Sequence, residues 1–139
     1  MKKILILFSL AATSLVANAL TPLWLRASAI SPDGKTICFA YKGDLFLVST
    51  TGGQARQLTS NAAWDGDPIW SPSGKQIAFA SEREGSLDLY LMKANGEGLT
   101  RLTTSSGSET PLVFLNEEEV LFTSIGLPTV NNRQFPSGT

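Results

Sequence analysis

One eleven-residue pattern occurs twice in this chain, forty residues apart. Ile30-Ser31-Pro32-Asp33-Gly34-Lys35-Thr36-Ile37-Cys38-Phe39-Ala40 is matched by Trp70-Ser71-Pro72-Ser73-Gly74-Lys75-Gln76-Ile77-Ala78-Phe79-Ala80. Asp44-Leu45-Phe46-Leu47-Val48 then aligns with Asp88-Leu89-Tyr90-Leu91-Met92, and Leu58-Thr59 with Leu102-Thr103, both at a spacing of 44. The second copy therefore holds four extra residues between Ser81 and Asp88. A third copy runs through Pro111-Leu112-Val113-Phe114 and Val120 to Ser124, 43 residues after Pro68 to Ser81. Repeats of this kind cannot bury their apolar faces alone and must stack on one another.

The period is that of a four-stranded propeller blade. Within a copy, Thr36 to Tyr41 and Asp44 to Ser49 read as β-rich strands, and Lys42-Gly43 between them fits a two-residue hairpin. Ser31-Pro32-Asp33-Gly34 is a turn: proline presets φ at its first central position, and glycine accepts the positive φ that closes it. Thr51-Gly52-Gly53 and Asn95-Gly96-Glu97-Gly98 supply later turns. The mature chain shows no convincing helical periodicity. The expected fold is all-β, an incomplete β-propeller of about two and a half four-stranded antiparallel blades. Repeats are expected at about 22–60, 61–103 and, incomplete, 104–139. Propellers close with 4–8 blades, so residues 20–139 are expected to form the N-terminal part of a longer propeller.

Residues 1–19 read as a secretory signal. Lys2 and Lys3 form a positive start, Ile4 to Val16 is apolar, and Ala17-Asn18-Ala19 has the small residues a signal peptidase accepts. The apolar run is short of the roughly 20 residues of a membrane-spanning helix. The expected location is the periplasm, with no membrane attachment after cleavage.

Composition narrows the chemistry. There is no histidine and one cysteine in 139 residues. A Ser–His or Cys–His pair, a histidine metal site, a cysteine cluster and an internal disulfide are thereby excluded within this chain. A net charge of −1 leaves no basic footprint for nucleic acid.

The remaining polar candidates favour structural readings. Asp44 and Asp88 recur at matching positions, but two carboxylates so placed supply too few oxygens for calcium, which takes 6–8. They are expected to accept backbone N–H groups in adjacent turns. Asp65 and Asp67, a candidate acid–base pair, are expected on a polar connection between blades. Glu117, Glu118 and Glu119 are expected at a solvated turn tip. Trp24, Trp64 and Trp70 fit packing between blades better than a binding face, and Cys38 fits a buried strand position. Ser105-Ser106-Gly107-Ser108 lacks a nucleophile elbow. Lys35, Lys42, Lys75 and Lys93 fall on turns and strand ends, where solvated lysines belong. The chain is expected to hold no catalytic residue, cofactor site or metal site.

The SP-x-G turns, Gly43-Asp44-Leu45-Phe46, Gly52-Gly53 and Gln57-Leu58-Thr59 resemble WD-like repeats of the TolB and tricorn type. With Trp24-Leu25-Arg26, Ala63-Trp64-Asp65-Gly66-Asp67-Pro68 and Arg133-Gln134-Phe135-Pro136, the chain resembles the start of a bacterial tricorn protease homologue, in the tail-specific serine peptidase superfamily. That resemblance implies a serine peptidase parent whose catalytic core lies beyond the propellers, so no catalytic residue carries over. It implies peptide or protein substrates as partners, guided or gated by the complete propeller. Open blade faces offer a route to self-association. Two alternatives remain: a TolB-type protein-binding propeller of the envelope, and a propeller fused to an amidohydrolase or prolyl-oligopeptidase-type hydrolase. The sequence departs from the repeat pattern at Ser73, where Asp is usual, at Glu82-Arg83-Glu84-Gly85, and at Asn116-Glu117-Glu118-Glu119.

Overall fold

The computed structural model describes residues 25–126. The expected signal segment, Trp24 and Arg133 to Pro136 lie outside them. Ten strands follow one another: β1 (Leu25–Ile30), β2 (Thr36–Tyr41), β3 (Asp44–Ser49), β4 (Arg56–Gln57), β5 (Asp65–Trp70), β6 (Gln76–Ser81), β7 (Asp88–Lys93), β8 (Thr100–Arg101), β9 (Ser108–Phe114) and β10 (Val120–Ile125). They form two four-stranded antiparallel sheets, β1-β2-β3-β4 and β5-β6-β7-β8, and the hairpin β9-β10. This is the all-β architecture of two and a half blades, and among the described residues they do not close a ring. The first strands β1, β5 and β9 pack in series, placing them innermost.

Local chemistry explains the elements. The Ser-Pro turns close through Gly34 N to Ser31 O (2.8 Å) and Gly74 N to Ser71 O (2.9 Å). Lys42 and Gly43 both have positive φ, 53° and 90°, the conformation whose twist matches the flanking strands of a two-residue hairpin. β1 and β5 bulge at matching positions: Ala27 and Asp67 interrupt the registers of β1–β2 and β5–β6 with φ of 38° and 48°. The expected placement of Asp65 and Asp67 on a connecting loop is corrected here. Both lie in β5, because the bulge extends pairing back to Asp65↔Ser81.

Alternation along the strands builds two interfaces. Cys38 and Ala40 of β2 and Leu45 and Leu47 of β3 meet Ile77, Phe79, Tyr90 and Met92 of β6 and β7. Cys38 and Ala40 are the small members of this cluster and leave room for the rings of Phe79 and Tyr90, the complementarity that close packing requires. On the opposite face of the second blade, Ala78 joins Phe114 and Val120, with Ile69 and Leu91 at the margin. A second, smaller interface thus accompanies the first, because β9 and β10 suffice to cover Ala78.

The antiparallel order separates two ends. One, the connection end, carries the β2–β3 and β6–β7 hairpins and the links between blades. The other, the turn end, carries the Ser-Pro turns and Asn116 to Glu119.

Candidate functional site

A groove of about 460 Å³ opens at the connection end, between the first and second blades. It is lined by Arg26, Ala40, Lys42, Gly43, Asn61, Ala62, Ala63 and Trp64. Arg26 comes from β1, directly opposite Ala40 of β2. Lys42 and Gly43 come from the tight hairpin, whose Gly43 carbonyl accepts Asp65 N at 2.8 Å and so ties the groove wall to β5. Asn61 is held twice: its N–H donates to Asp44 Oδ1 (3.3 Å), and its Oδ1 accepts Ala63 N (2.9 Å). Trp64 lies across Gly66, where an added Cβ would fall 2.2 Å from the indole. Only glycine lets the ring lie there.

Two ion pairs on buried aspartates stand elsewhere at the connection end. Arg83 grips buried Asp65 with both Nε (3.3 Å) and Nη2 (2.7 Å), and its guanidinium stacks over Phe79 and Tyr90. Arg101 reaches buried Asp88 at 2.7 Å. Burial pushes the Asp88 carboxyl above its ordinary range against the pull of Arg101, with Glu109 adding to the rise. Asp44, the counterpart of Asp88, accepts Gln57 Nε2 at 3.0 Å, so Gln57 stands where the next blade has Arg101. Buried Thr59 and Thr103 each accept a β-strand N–H, from Leu45 and Leu89, at 2.9 Å.

The other candidates are dispersed. Asp44 does accept a backbone N–H, from Asn61, whereas Asp88 takes a guanidinium instead. Asp65 is consumed by Arg83. Trp70 donates to the Ala29 carbonyl of the first blade at 3.0 Å and packs on the inter-blade core, while Trp64 faces the groove. Cys38 is fully buried, and burial pushes its thiol up to about 12. Glu117 is not merely solvated: it accepts Ser73 N (2.6 Å) and Ser73 Oγ (2.8 Å). Glu119 accepts the Asn116 side-chain amide. Among the described residues no three His, Cys, Asp or Glu side chains gather for a metal. Sequence reasoning missed Arg83, Arg101 and the groove. The four-residue insertion and the Gln57/Arg101 alignment were the available signals.

A four-stranded blade, repeated around inner strands with alternating inter-blade cores, defines a β-propeller. Residues 22–135 match the tricorn protease N-terminal β-propeller domain, and the chain belongs to that family. It is 32% identical over 106 residues to dipeptidyl-peptidase 5 of Porphyromonas gingivalis, covering 68% of this chain and 16% of that protein. It is 30% identical over 101 residues to the uncharacterized protein Atu1656 of Agrobacterium fabrum, covering 68% and 34%. The chain thus spans about a third or less of these relatives. Among solved structures, a putative TolB from Agrobacterium tumefaciens superposes with a TM-score of 0.61 at 25% identity, over 76% of this chain and 41% of that one. The tricorn protease does so with 0.58 at 17% identity, over 72% and 11%, a likeness of fold.

Proposed function

We propose that this chain supplies the opening blades of a substrate-guiding propeller in an exported tricorn-like serine protease, with proteolysis carried by a separate core. The family match over residues 22–135 carries the reading. It is supported by the absence of histidine, which removes the usual base for a serine nucleophile from these blades. A propeller offers an extended peptide strand edges and a rim of loops while contributing no chemistry. The signal-like residues 1–19 support export to the periplasm as part of this reading.

The test compares two products of the gene: the whole translated protein, and the same protein lacking residues 20–126. Guiding predicts that the truncated form keeps cleavage of short peptides and changes its preference for long ones. Unchanged length preference would overturn the reading. The similarity to dipeptidyl-peptidase 5 favours a second reading, the same blades before a dipeptidyl-peptidase core. Release of N-terminal dipeptides rather than internal cleavage would establish it.

A further inference from the structure

We infer that the connection-end groove binds a carboxylate carried by a peptide beside an apolar residue. Internal comparison of the repeats carries the argument. In the second blade the inner strand opens on Asp65, which neutralises the hairpin cation Arg83. In the third, Glu109 holds the matching position, paired with Ser124 as Asp65 is with Ser81. The first blade has Leu25 there, followed by Arg26, while its hairpin still presents a cation, Lys42. The acid has been lost and a second base gained at one place.

The consequence is local and electrostatic. Among the described residues the ion pairs are Arg83–Asp65 and Arg101–Asp88, so neither Arg26 nor Lys42 enters one. Both are exposed and both line the groove, Arg26 from the strand and Lys42 from the hairpin, with the Lys42 ammonium over the Tyr41 ring at 5.4 Å. The nearest acid in sequence, Asp44, is engaged by Gln57 and the Asn61 N–H. Asn61 spends its Oδ1 on Ala63 N, which leaves its amide donors for a ligand. Arginine, lysine and an amide N–H suit an oxyanion. Ala62, Ala63 and Trp64 form an apolar wall beside them, suited to a neighbouring apolar side chain. The peptide as carrier rests on the guiding reading; the carboxylate does not.

The test is peptide binding to the intact protein, followed by fluorescence anisotropy. Three labelled probes are used: acetyl-Gly-Phe-Glu-Gly amide, the same peptide with Gln for Glu, and acetyl-Gly-Phe-Gly with a free C-terminal carboxylate. The expected result is saturable binding of at least one carboxylate probe, about tenfold tighter than the Gln probe. Which of the two binds tells a side-chain carboxylate from a terminal one. Binding should weaken about tenfold in Arg26→Gln and in Lys42→Asn, the latter keeping a residue that tolerates positive φ. Lys35→Gln, at the turn end, should bind as the parent does. In the unaltered protein, the indole N–H of Trp64 and the amide of Gly43 should shift on titration by NMR, which keeps the test independent of variant folding. Equal binding of Glu and Gln probes, no saturable binding, or shifts confined to the turn end would overturn the inference. A failure of length selection in the truncation experiment, with carboxylate binding intact, would sink the guiding reading alone.

Discussion

Glu117, at the tip of the third blade's hairpin, accepts both the backbone N–H and the hydroxyl of Ser73, in the Ser-Pro turn of the second blade. Two departures from the repeat meet at this contact. In the first blade the turn is closed by its own aspartate: Asp33 accepts Ser31 Oγ at 2.6 Å and Lys35 N at 3.0 Å. In the second blade the Ser73 hydroxyl takes that place, meeting Ser71 Oγ and Lys75 N at 3.3 Å, and Glu117 of the neighbouring blade in turn accepts from Ser73. The expected effect of Ser73→Asp is therefore a loss of stability, because it sets a second carboxylate against Glu117. Combined with Glu117→Gln the loss should largely vanish. Thermal denaturation of the two single variants and the double variant measures the coupling; additive effects would contradict it.

The same contacts fix a pH dependence. Hydrogen bonds from the Ser31 side chain and then the Lys35 backbone hold Asp33 below its ordinary 3.8. Hydrogen bonds from Ser73 hold Glu117 below its ordinary 4.5. A carboxylate whose pKa is lower in the folded state stabilises the fold above its unfolded value and loses that contribution as pH falls through its folded value. Amides of residues 31–36 and 71–76 should therefore exchange faster, relative to the β6–β7 core, as pH drops below about 4. Native-state exchange corrected for intrinsic rates checks this, and unaltered relative protection at pH 3 would refute it.

The periodic part of the fold was legible because each blade repeats its own local needs. Pro32 and Gly34 force a turn, Lys42-Gly43 a hairpin, and Thr59 and Thr103 satisfy the same buried N–H in successive blades. Contacts made once were not legible. Arg83 lies in the four-residue insertion that lengthens the second hairpin, and its partner Asp65 reads as loop because Gly66, Asp67 and Pro68 look like a connection. The bulge at Asp67 lets a strand pass through them. The groove was missed for a related reason: Arg26 and Lys42 are unremarkable separately and meet only through the pairing of Arg26 with Ala40 beside the hairpin.

Gly66 and Trp64 give a steric prediction. Gly66→Ala drives a methyl into the indole, whose nearest atom would be 2.2 Å away. The cost should be about 2 kcal/mol, in the range of overpacked sites. Trp64→Leu should relieve part of it, and chemical denaturation of the single and double variants reads the rescue. A destabilisation by Gly66→Ala that is unchanged in the Trp64→Leu background would show that the strain lies elsewhere.

Repeat-equivalent phenylalanines separate covered from uncovered blade faces. Phe79 is fully buried and stacked on Tyr90 at 5.9 Å, between two blades. Its counterpart Phe39 stacks on Phe46 at 5.8 Å, on the face of the first blade turned away from the second, and is only half-buried. Phe79→Ala should cost about 3–5 kcal/mol, the range for emptying a packed aromatic site. Phe39→Ala should cost clearly less, since much of the face it would expose is already in water. Equal losses in urea denaturation would mean that Phe39 is covered in solution, by a neighbouring copy if the loss depends on protein concentration.

Cys38 offers a test of the first interface that needs no substitution. Its thiol is fully enclosed with Ala40, Leu45 and Leu47 on one side and Ile77 and Phe79 on the other, and burial raises its pKa to about 12. The thiolate is the reactive species. In the folded chain at pH 8 the thiol should therefore be both inaccessible and almost wholly protonated. Because the pKa is raised on folding, the folded state binds the proton more tightly, so stability should fall as pH rises through the unfolded value near 9. A disulfide exchange reagent should label Cys38 only as fast as the first and second blades separate, with the rate rising steeply in urea. Rapid labelling of the native protein, at a rate insensitive to denaturant, would mean that the interface between the two blades is not closed in solution.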